Sequence, residues 1–178
     1  KNFLNINGEK FSGKSHLVNI FLKKFNGIRI DVNSLNDENI KSIKPYQNIV
    51  LEDLNLNINE KLIYSLFNII DQDNKFLIVT SMKPISEINF KLEDLRSRTK
   101  NCLFANIQNP DDELMFALIL KNLSDRQITL DKKLINFIIK RIERSYGKIF
   151  EFIYKIDKIS LKKKKSIDFK IINEALEE

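Results

Sequence analysis

The spacing of apolar residues changes character along this chain. Up to about residue 107, short apolar runs alternate with segments in which apolar residues recur every three or four places, the marks of strands and helices respectively. Residues 2–7 read as a short strand, and Leu17, Val18, Phe21, Leu22 and Phe25 then repeat at helical spacing. Residues 27–32 give a second strand, 33–44 a short helix, 48–54 an apolar strand, and 59–71 an amphipathic helix carrying Leu62, Ile63, Leu66, Phe67 and Ile70. A fourth strand at 75–81, a charged helical turn at 91–98 and a fifth strand at 102–107 complete the series. This alternation predicts an α/β fold, a mostly parallel sheet covered by helices on both faces. Ligands of such sheets lie beyond the carboxyl ends of the strands.

Pro110 marks a boundary, and beyond it the pattern is helical throughout. Helices are expected near 111–123, 131–144, 146–159 and 168–176. Asp111 and Thr129 are the expected N-caps, and Ser124-Asp125 separates the first helix from the second. The predicted organisation is an α/β core over 1–110 and a small all-helical lid over 111–178. No internal repeat or flexible linker is visible.

Composition adds bounds. Hydrophobic residues make up 43%, with 13 phenylalanines, enough for a sizeable core. No apolar run approaches the ~20 residues that span a bilayer, and no signal peptide is read, so a cytoplasmic protein without membrane contact is expected. The single cysteine, Cys102, excludes an internal disulfide and reads as an inert thiol within a strand. The single histidine, His16, excludes a multi-histidine metal site.

Only four glycines occur, and two of them frame Gly8-Glu9-Lys10-Phe11-Ser12-Gly13-Lys14-Ser15. Gly, four residues, then Gly-Lys-Ser between a strand and a helix is the phosphate-loop pattern. Backbone N–H groups of such a loop cradle nucleotide phosphates, the lysine reaches the β/γ-phosphates, and the serine hydroxyl binds Mg²⁺. The following helix aims its positive end at the same phosphates. Gly8, Ser12, Gly13, Lys14, Ser15 and His16, which orients the helix start, are therefore the expected contacts to ADP or ATP. A glycine turn with a chance Lys-Ser is the plainer alternative.

The strand at 48–54 ends in adjacent carboxylates, Glu52 and Asp53. Acids commonly follow strands, but behind a phosphate loop one acid is expected to hold the Mg²⁺ water shell and the next to orient an attacking water. Thr80 and Ser81 end the next strand with hydroxyls that either sense a γ-phosphate or cap the strand.

Charge is unevenly placed. The net charge is +6, yet residues 121–165 hold fourteen Lys or Arg against five Asp or Glu. This basic region suits contact with nucleic acid or an acidic partner. It equally suits a solvated helix face with a lysine-rich turn at 162–165, which has no interleaved aromatics for base stacking.

Taken in order, these pieces resemble the AAA+ ATPases of the DnaA replication-initiator family, and most of all its Hda-like branch, whose members inactivate the initiator. GEKFSGKSHL resembles the family's phosphate loop, IVLEDL its acidic strand, FLIVTSMKP its sensor strand and LEDLRSR the arginine-finger segment. RIERSYGKIFEFIYKID followed by ISLKKKKSIDFKIINEAL resembles its lid. The resemblance implies a P-loop NTPase AAA+ core with a helical lid. It puts Lys14 and Ser15 on phosphate and Mg²⁺, Glu52 on the metal, Asp53 on the water, and Arg98 at the finger position. Arg96 is left as a surface ion-pair partner. The implied partners are the replication initiator, and the DNA sliding clamp through an N-terminal peptide that this chain does not contain. DNA contact through the basic lid is a further expectation.

Three positions depart from the family pattern. Phe11 replaces a loop glycine, Met82 stands where an acid is frequent, and Gly147 takes the place of the lid's sensor arginine, with Lys148 one position later as the remaining lid contact to nucleotide. Weak or no intrinsic hydrolysis is expected. The chain ends at Glu178 with the last lid helix, before the helix-turn-helix domain of a full initiator, and the interval from Lys14 to Glu52 is short; both favour the regulator. Arg98 either serves as a finger in trans or pairs with Glu93 or Asp94. Two other readings stay open: a self-contained DNA-dependent ATPase or helicase loader, and a nucleotide-dead scaffold.

Overall fold

The computed structural model describes residues 2–55 and 58–177. They form two compact units. One comprises the chain up to Gly8 together with Gly13–Ile107, and the other Glu9–Ser12 together with the chain from Gln108 onward.

In the first unit, β1 (Phe3–Gly8), β2 (Gly27–Asp31), β3 (Asn48–Leu54), β4 (Phe76–Ser81) and β5 (Leu103–Ile107) make one parallel sheet in the order β2-β3-β4-β1-β5. Helices α1 (Lys14–Lys24), α2 (Asp37–Ser42), α3 (Glu60–Gln72) and α4 (Glu93–Lys100) lie between the strands in sequence. The α/β class read from periodicity is the observed one.

Successive strand residues point to opposite faces, and both faces of β3 and β4 are covered. Ile49, Leu51, Leu77 and Val79 share a cluster with Ile63, Leu66, Phe67 and Ile70 of α3 and Leu95 of α4. Val50, Ile78 and Ile6 share another with Val18 of α1. Burial on two faces explains why β3 and β4 read as continuous apolar runs rather than alternating ones.

One buried polar residue interrupts β1. The Asn5 amide donates to the Val79 carbonyl at 3.0 Å and to Ser81 Oγ at 2.8 Å, and its Oδ1 accepts from the Ile85 N–H at 3.0 Å. A fully satisfied amide of this kind ties β1, β4 and the turn after β4 together at little net cost. Lys75 is also buried, its Nζ donating to the carbonyls of Lys44 and Tyr46, both at 2.9 Å. It joins the segment entering β3 to the one entering β4.

Two expectations for this unit need correction. The segment 33–44 is not one helix. It splits into a 3-10 turn at Val32–Ser34 and α2, because the Asp31 carboxylate accepts from Asn33 N–H at 2.7 Å and Asn36 Oδ1 accepts from Asn39 N–H at 2.8 Å. Local side-chain acceptors compete with a continuous helix. Cys102 is buried, as expected, but lies just before β5 with its thiol toward the Arg98 carbonyl at 3.7 Å.

The second unit contains α5 (Asp112–Asp125), α6 (Lys132–Ile139), α7 (Tyr146–Lys163) and α8 (Phe169–Glu177), with no strand among the described residues. Met115, Ile119, Ile135, Ile138, Ile153 and Ile172 are at the centre of its core. Asp111 caps α5, accepting from Leu114 N–H at 2.8 Å. The cap of α6 is Asp131, which accepts from Lys133 N–H, and not Thr129.

Helix α5 also runs through Ser124-Asp125 instead of breaking there. It ends at Asp125, beyond which Gln127 takes φ 58° and Ile128 N–H returns to the Leu123 carbonyl at 2.9 Å, a left-handed C-terminal reversal. Helix α6 is shorter than the pattern 131–144 suggested. The Arg141 N–H turns back to the Ile138 carbonyl at 2.9 Å, and Ser145 then caps α7.

The lysine-rich run has a structural place. Lys162 and Lys163 occupy the last turn of α7, where cations complement the helix dipole, and Lys163 pairs with Glu174 of α8. Among the described residues no helix is long and apolar enough to cross a membrane.

Gly27 opens β2 where a Cβ would stand 2.5 Å from the Asn48 carbonyl oxygen. Gly27→Ala is therefore expected to lower unfolding free energy by about 1–3 kcal/mol, read from urea denaturation. A change within error would show that the β2–β3 pairing can absorb the methyl.

Candidate functional site

The parallel order brings the ends of β1, β3 and β4 together: Asn7 pairs with Ser81, and Ser81 with Leu54. The phosphate-loop residues leave the sheet at this carboxyl edge. Gly8 ends β1, and Gly13, at φ 93°, precedes α1. That conformation is open to glycine and disfavoured for other residues. Gly13 offers no side chain to cap α1, and the first turn of α1 carries no acid. The leading N–H groups of α1 therefore have no side-chain cap, the arrangement that receives an anion.

Lys14 is buried, 7% exposed, with Nζ donating to the Gly8 carbonyl at 2.7 Å. Ser15 and His16 are exposed on the first turn of α1. The Ser12 hydroxyl is buried without a hydrogen-bond partner.

The middle of the loop packs within the helical unit. Phe11 adopts φ 67°, the left-handed region that favours glycine, and its ring stacks on Phe150 with centroids 4.6 Å apart. Glu9 Oε2 accepts from Tyr146 N–H at 2.9 Å, and Oε1 accepts from the Ser145 hydroxyl. Gly147 lies beside this carboxylate, where a Cβ would be 3.3 Å from Glu9 Oε1. The Tyr146 hydroxyl donates to the Gln108 carbonyl at 3.1 Å. Burial, and then the charges of Glu9 and Asp111, push its pKa above the usual 10.0.

The acidic pair sits at a bulge. Leu51 pairs with Val79 but Leu54 with Ser81, so β3 carries one extra residue. Asp53 has φ 58°, and its N–H bonds Thr80 Oγ1 at 2.9 Å. A bulge of this kind re-aims side chains beside a site. Here Glu52 is 9% exposed while Asp53 faces solvent.

Glu52 Oε2 is 3.3 Å from Arg29 Nε, and Arg29 also bonds Asn19 of α1. Glu52 Oε1 is buried without a partner. The sequence reading missed Arg29; its signal was a cation between Ile28 and Ile30 in an otherwise apolar strand.

Donor chemistry suits Mg²⁺. An unpartnered buried carboxylate oxygen and an exposed serine hydroxyl are hard oxygen donors. Among the described residues no cluster of three acids, histidines or cysteines could hold a metal unaided.

Thr80 and Ser81 are engaged internally. Thr80 Oγ1 accepts from Asp53 N–H, and Ser81 Oγ donates to the Lys83 carbonyl at 2.6 Å while accepting from Asn5. These bonds support the capping role over phosphate sensing. Lys148, the expected lid contact, pairs with Glu151 at 3.2 Å and is mostly exposed.

Arg98 lies elsewhere in the first unit. Helix α4 leads directly into the amino end of β5, and Asp71, which pairs with Arg98, also receives a hydrogen bond from Asn2, just before β1. Arg98 is thus at the amino edge of the sheet, opposite the loop. Its side chain is 32% exposed and lies over the Tyr64 ring at 5.6 Å. The partner is Asp71, not Glu93 or Asp94, and Arg96 makes no ion pair among the described residues.

Removing Arg29 would leave Glu52 nearly buried and uncompensated. Discounted for the partial exposure of Arg29, the loss is expected at roughly 1–2 kcal/mol for Arg29→Ala. Glu52→Gln should cost less. Thermal denaturation of the two variants checks the order, and equal losses would contradict it.

Comparison with known proteins fits this geometry. The family model described as "Hda, lid domain" matches residues 111–176. The chain is 24% identical over 155 residues to the chromosomal replication initiator protein DnaA of Caldanaerobacter subterraneus subsp. tengcongensis, covering 83% of this chain and 35% of that one. The chain spans about a quarter to a third of the length of the curated initiators it matches first. In structure it resembles domain III of the Thermotoga maritima replication initiation protein DnaA, with TM-score 0.76 at 18% identity, over 98% of this chain and 82% of that one. It also resembles a replication initiator DnaA bound to AMPPCP and single-stranded DNA, with TM-score 0.68 at 18% identity, over 90% of this chain and 58% of that one.

Proposed function

Because this chain is a DnaA/Hda-like AAA+ protein, we propose that it works in the control of chromosomal replication initiation. It binds ADP or ATP with Mg²⁺ at the loop Gly8–Ser15, and it promotes ATP hydrolysis by the initiator with Arg98 acting in trans. The observation that carries this reading is the joint match: a lid model over 111–176, and initiator relatives along 83% of the chain.

For nucleotide, support comes from the uncapped start of α1, the lysine at Gly8, and the AMPPCP carried by a protein of the same fold. Lys14 and Ser15 hold phosphate and Mg²⁺, with Gly8, Ser12, Gly13 and His16 around them. Glu52 serves the metal, and Asp53, facing solvent, serves the water. Lys148 is the lid contact in this reading. It must leave Glu151 to act, and weak coupling of the lid to the γ-phosphate follows. The α/β core (1–110) carries this chemistry and the helical lid (111–178) modulates it.

For regulation, support comes from where Arg98 stands. A guanidinium at the amino edge of the sheet lies opposite its own phosphate loop, which favours service to a neighbour's over service to its own. Its ion pair with Asp71 is partly exposed, a setting in which pairs contribute about 0–1 kcal/mol, so release is cheap. A planar guanidinium near a transferring phosphoryl group stabilises the charge that develops there. The initiator is the proposed partner, with the sliding clamp and DNA as further ones.

Lys14→Ala is expected to weaken ADP binding at least about tenfold in calorimetric titration. Equal affinities would remove the loop assignment.

Arg98→Ala is expected to leave ADP affinity unchanged and stability within about 1 kcal/mol, yet to abolish stimulation of initiator ATP hydrolysis in the presence of clamp and DNA. Arg98→Lys should fail too, lacking the fork, whereas Asp71→Ala should retain stimulation. Full stimulation by the alanine variant would exclude the finger. ATP turnover by the isolated protein that rises with DNA would favour a self-contained ATPase instead.

A further inference from the structure

We propose that Glu9 and Phe150 are positioning residues for the phosphate loop: they hold Glu9–Ser12 against the first turns of α7, and nucleotide affinity depends on that hold. The inference rests on reading Gly8–Ser15 as a nucleotide loop.

Three features of one compact unit converge on it. The Glu9 carboxylate takes both the Ser145 hydroxyl and the Tyr146 N–H at the start of α7, where a helix of 18 residues favours a negative charge. Gly147 makes room, since a Cβ would stand 3.3 Å from Glu9 Oε1. Phe11, half exposed at 49%, keeps φ 67° while its ring stacks on Phe150 with planes 17° apart.

A bulky residue in the left-handed region persists only where its surroundings hold it. Here the stack on one side and the Glu9 contacts on the other supply that restraint. Without them Phe11 would relax to an ordinary conformation, turning the peptide planes on either side of it. A loop that grips phosphate through backbone N–H groups needs those groups aligned together. If only a fraction of molecules have them aligned, apparent affinity falls by that fraction.

Two of the three departures from the family's pattern, Phe11 and Gly147, thereby meet at the same loop. Phe11 keeps the glycine's backbone conformation by leaning on α7, and Gly147 gives up a side chain to seat Glu9. The polar and aromatic contacts act on the same four residues from two sides.

The test uses the full chain. ADP titration and amide hydrogen exchange without nucleotide are compared for wild type, Glu9→Ala, Phe150→Ala and Phe150→Tyr, with circular dichroism confirming that each is folded. Each alanine variant is expected to lose about tenfold in ADP affinity and to exchange about tenfold faster at residues 10–12, while Phe150→Tyr, which keeps the ring, stays within about twofold. Alanine variants with unchanged exchange and unchanged or tighter ADP binding overturn the proposal. Should Glu9→Ala not fold, Phe150→Ala alone decides by the same two readouts. Absence of ADP binding by the wild type would sink the nucleotide reading and the affinity claim with it; faster exchange in the variants would still establish the hold itself, and unchanged exchange would remove that too.

Discussion

Burial of β3 and β4 on both faces is the constraint from which the first unit follows. Val50 and Ile78 face Val18 of α1, while Leu51 and Val79 face α3. Each such side chain removed from water contributes roughly 1.5–3 kcal/mol. Strands buried this way can be joined in parallel only by crossovers that return over a face. Those crossovers deliver the loop after β1 and the acids of β3 to one edge. The meeting of the loop and the acids at the carboxyl edge is thus a consequence of packing, and the polar residues there had to be accommodated by it.

The accommodation is visible residue by residue. Asn5 satisfies all its polar atoms inside the sheet, and Thr80 takes the Asp53 N–H that the bulge withdraws from the ladder. Among the described residues, the buried side-chain atoms left without a partner are Asn7 Oδ1 and Glu52 Oε1 in this unit and Ser12 Oγ in the other. Buried polar atoms without partners are rare in folded proteins. Asn7 and Glu52 both stand at the carboxyl edge of the sheet, where the proposed nucleotide site lies.

How much of this was legible in the sequence depended on the range of the interaction. The strands, α3 and the Asp111 cap were legible because periodicity and local caps are written within a few residues. The position of the loop between β1 and α1 was legible because its glycines, lysine and serine are contiguous. The split at 32–42 and the Asp131 cap were missed, since each turns on which of several nearby Asp, Asn or Ser side chains wins a backbone N–H; the extension of α5 was missed because its end is set by a backbone reversal at Gln127. Arg29 with Glu52, Asp71 with Arg98, and Glu9 with Ser145 were out of reach for another reason. Each joins residues from separate segments, and nothing in composition says which carboxylate meets which cation or N–H.

The bulge in β3 shows why two adjacent acids need not be equivalent. Side chains on a regular strand alternate faces, so Glu52 and Asp53 would differ only in side. The extra residue and the left-handed Asp53 also separate them by depth. Glu52 turns inward to Arg29, and Asp53 turns out to water. A carboxylate fixed by a neighbouring cation has one oxygen committed and one left over, a geometry suited to standing behind an ion. A carboxylate in solvent keeps its full acceptor capacity and can follow a water molecule. The difference between the two carboxylates therefore has a backbone origin: one inserted residue, held by the Thr80 hydroxyl, sorts two chemically similar side chains into different environments.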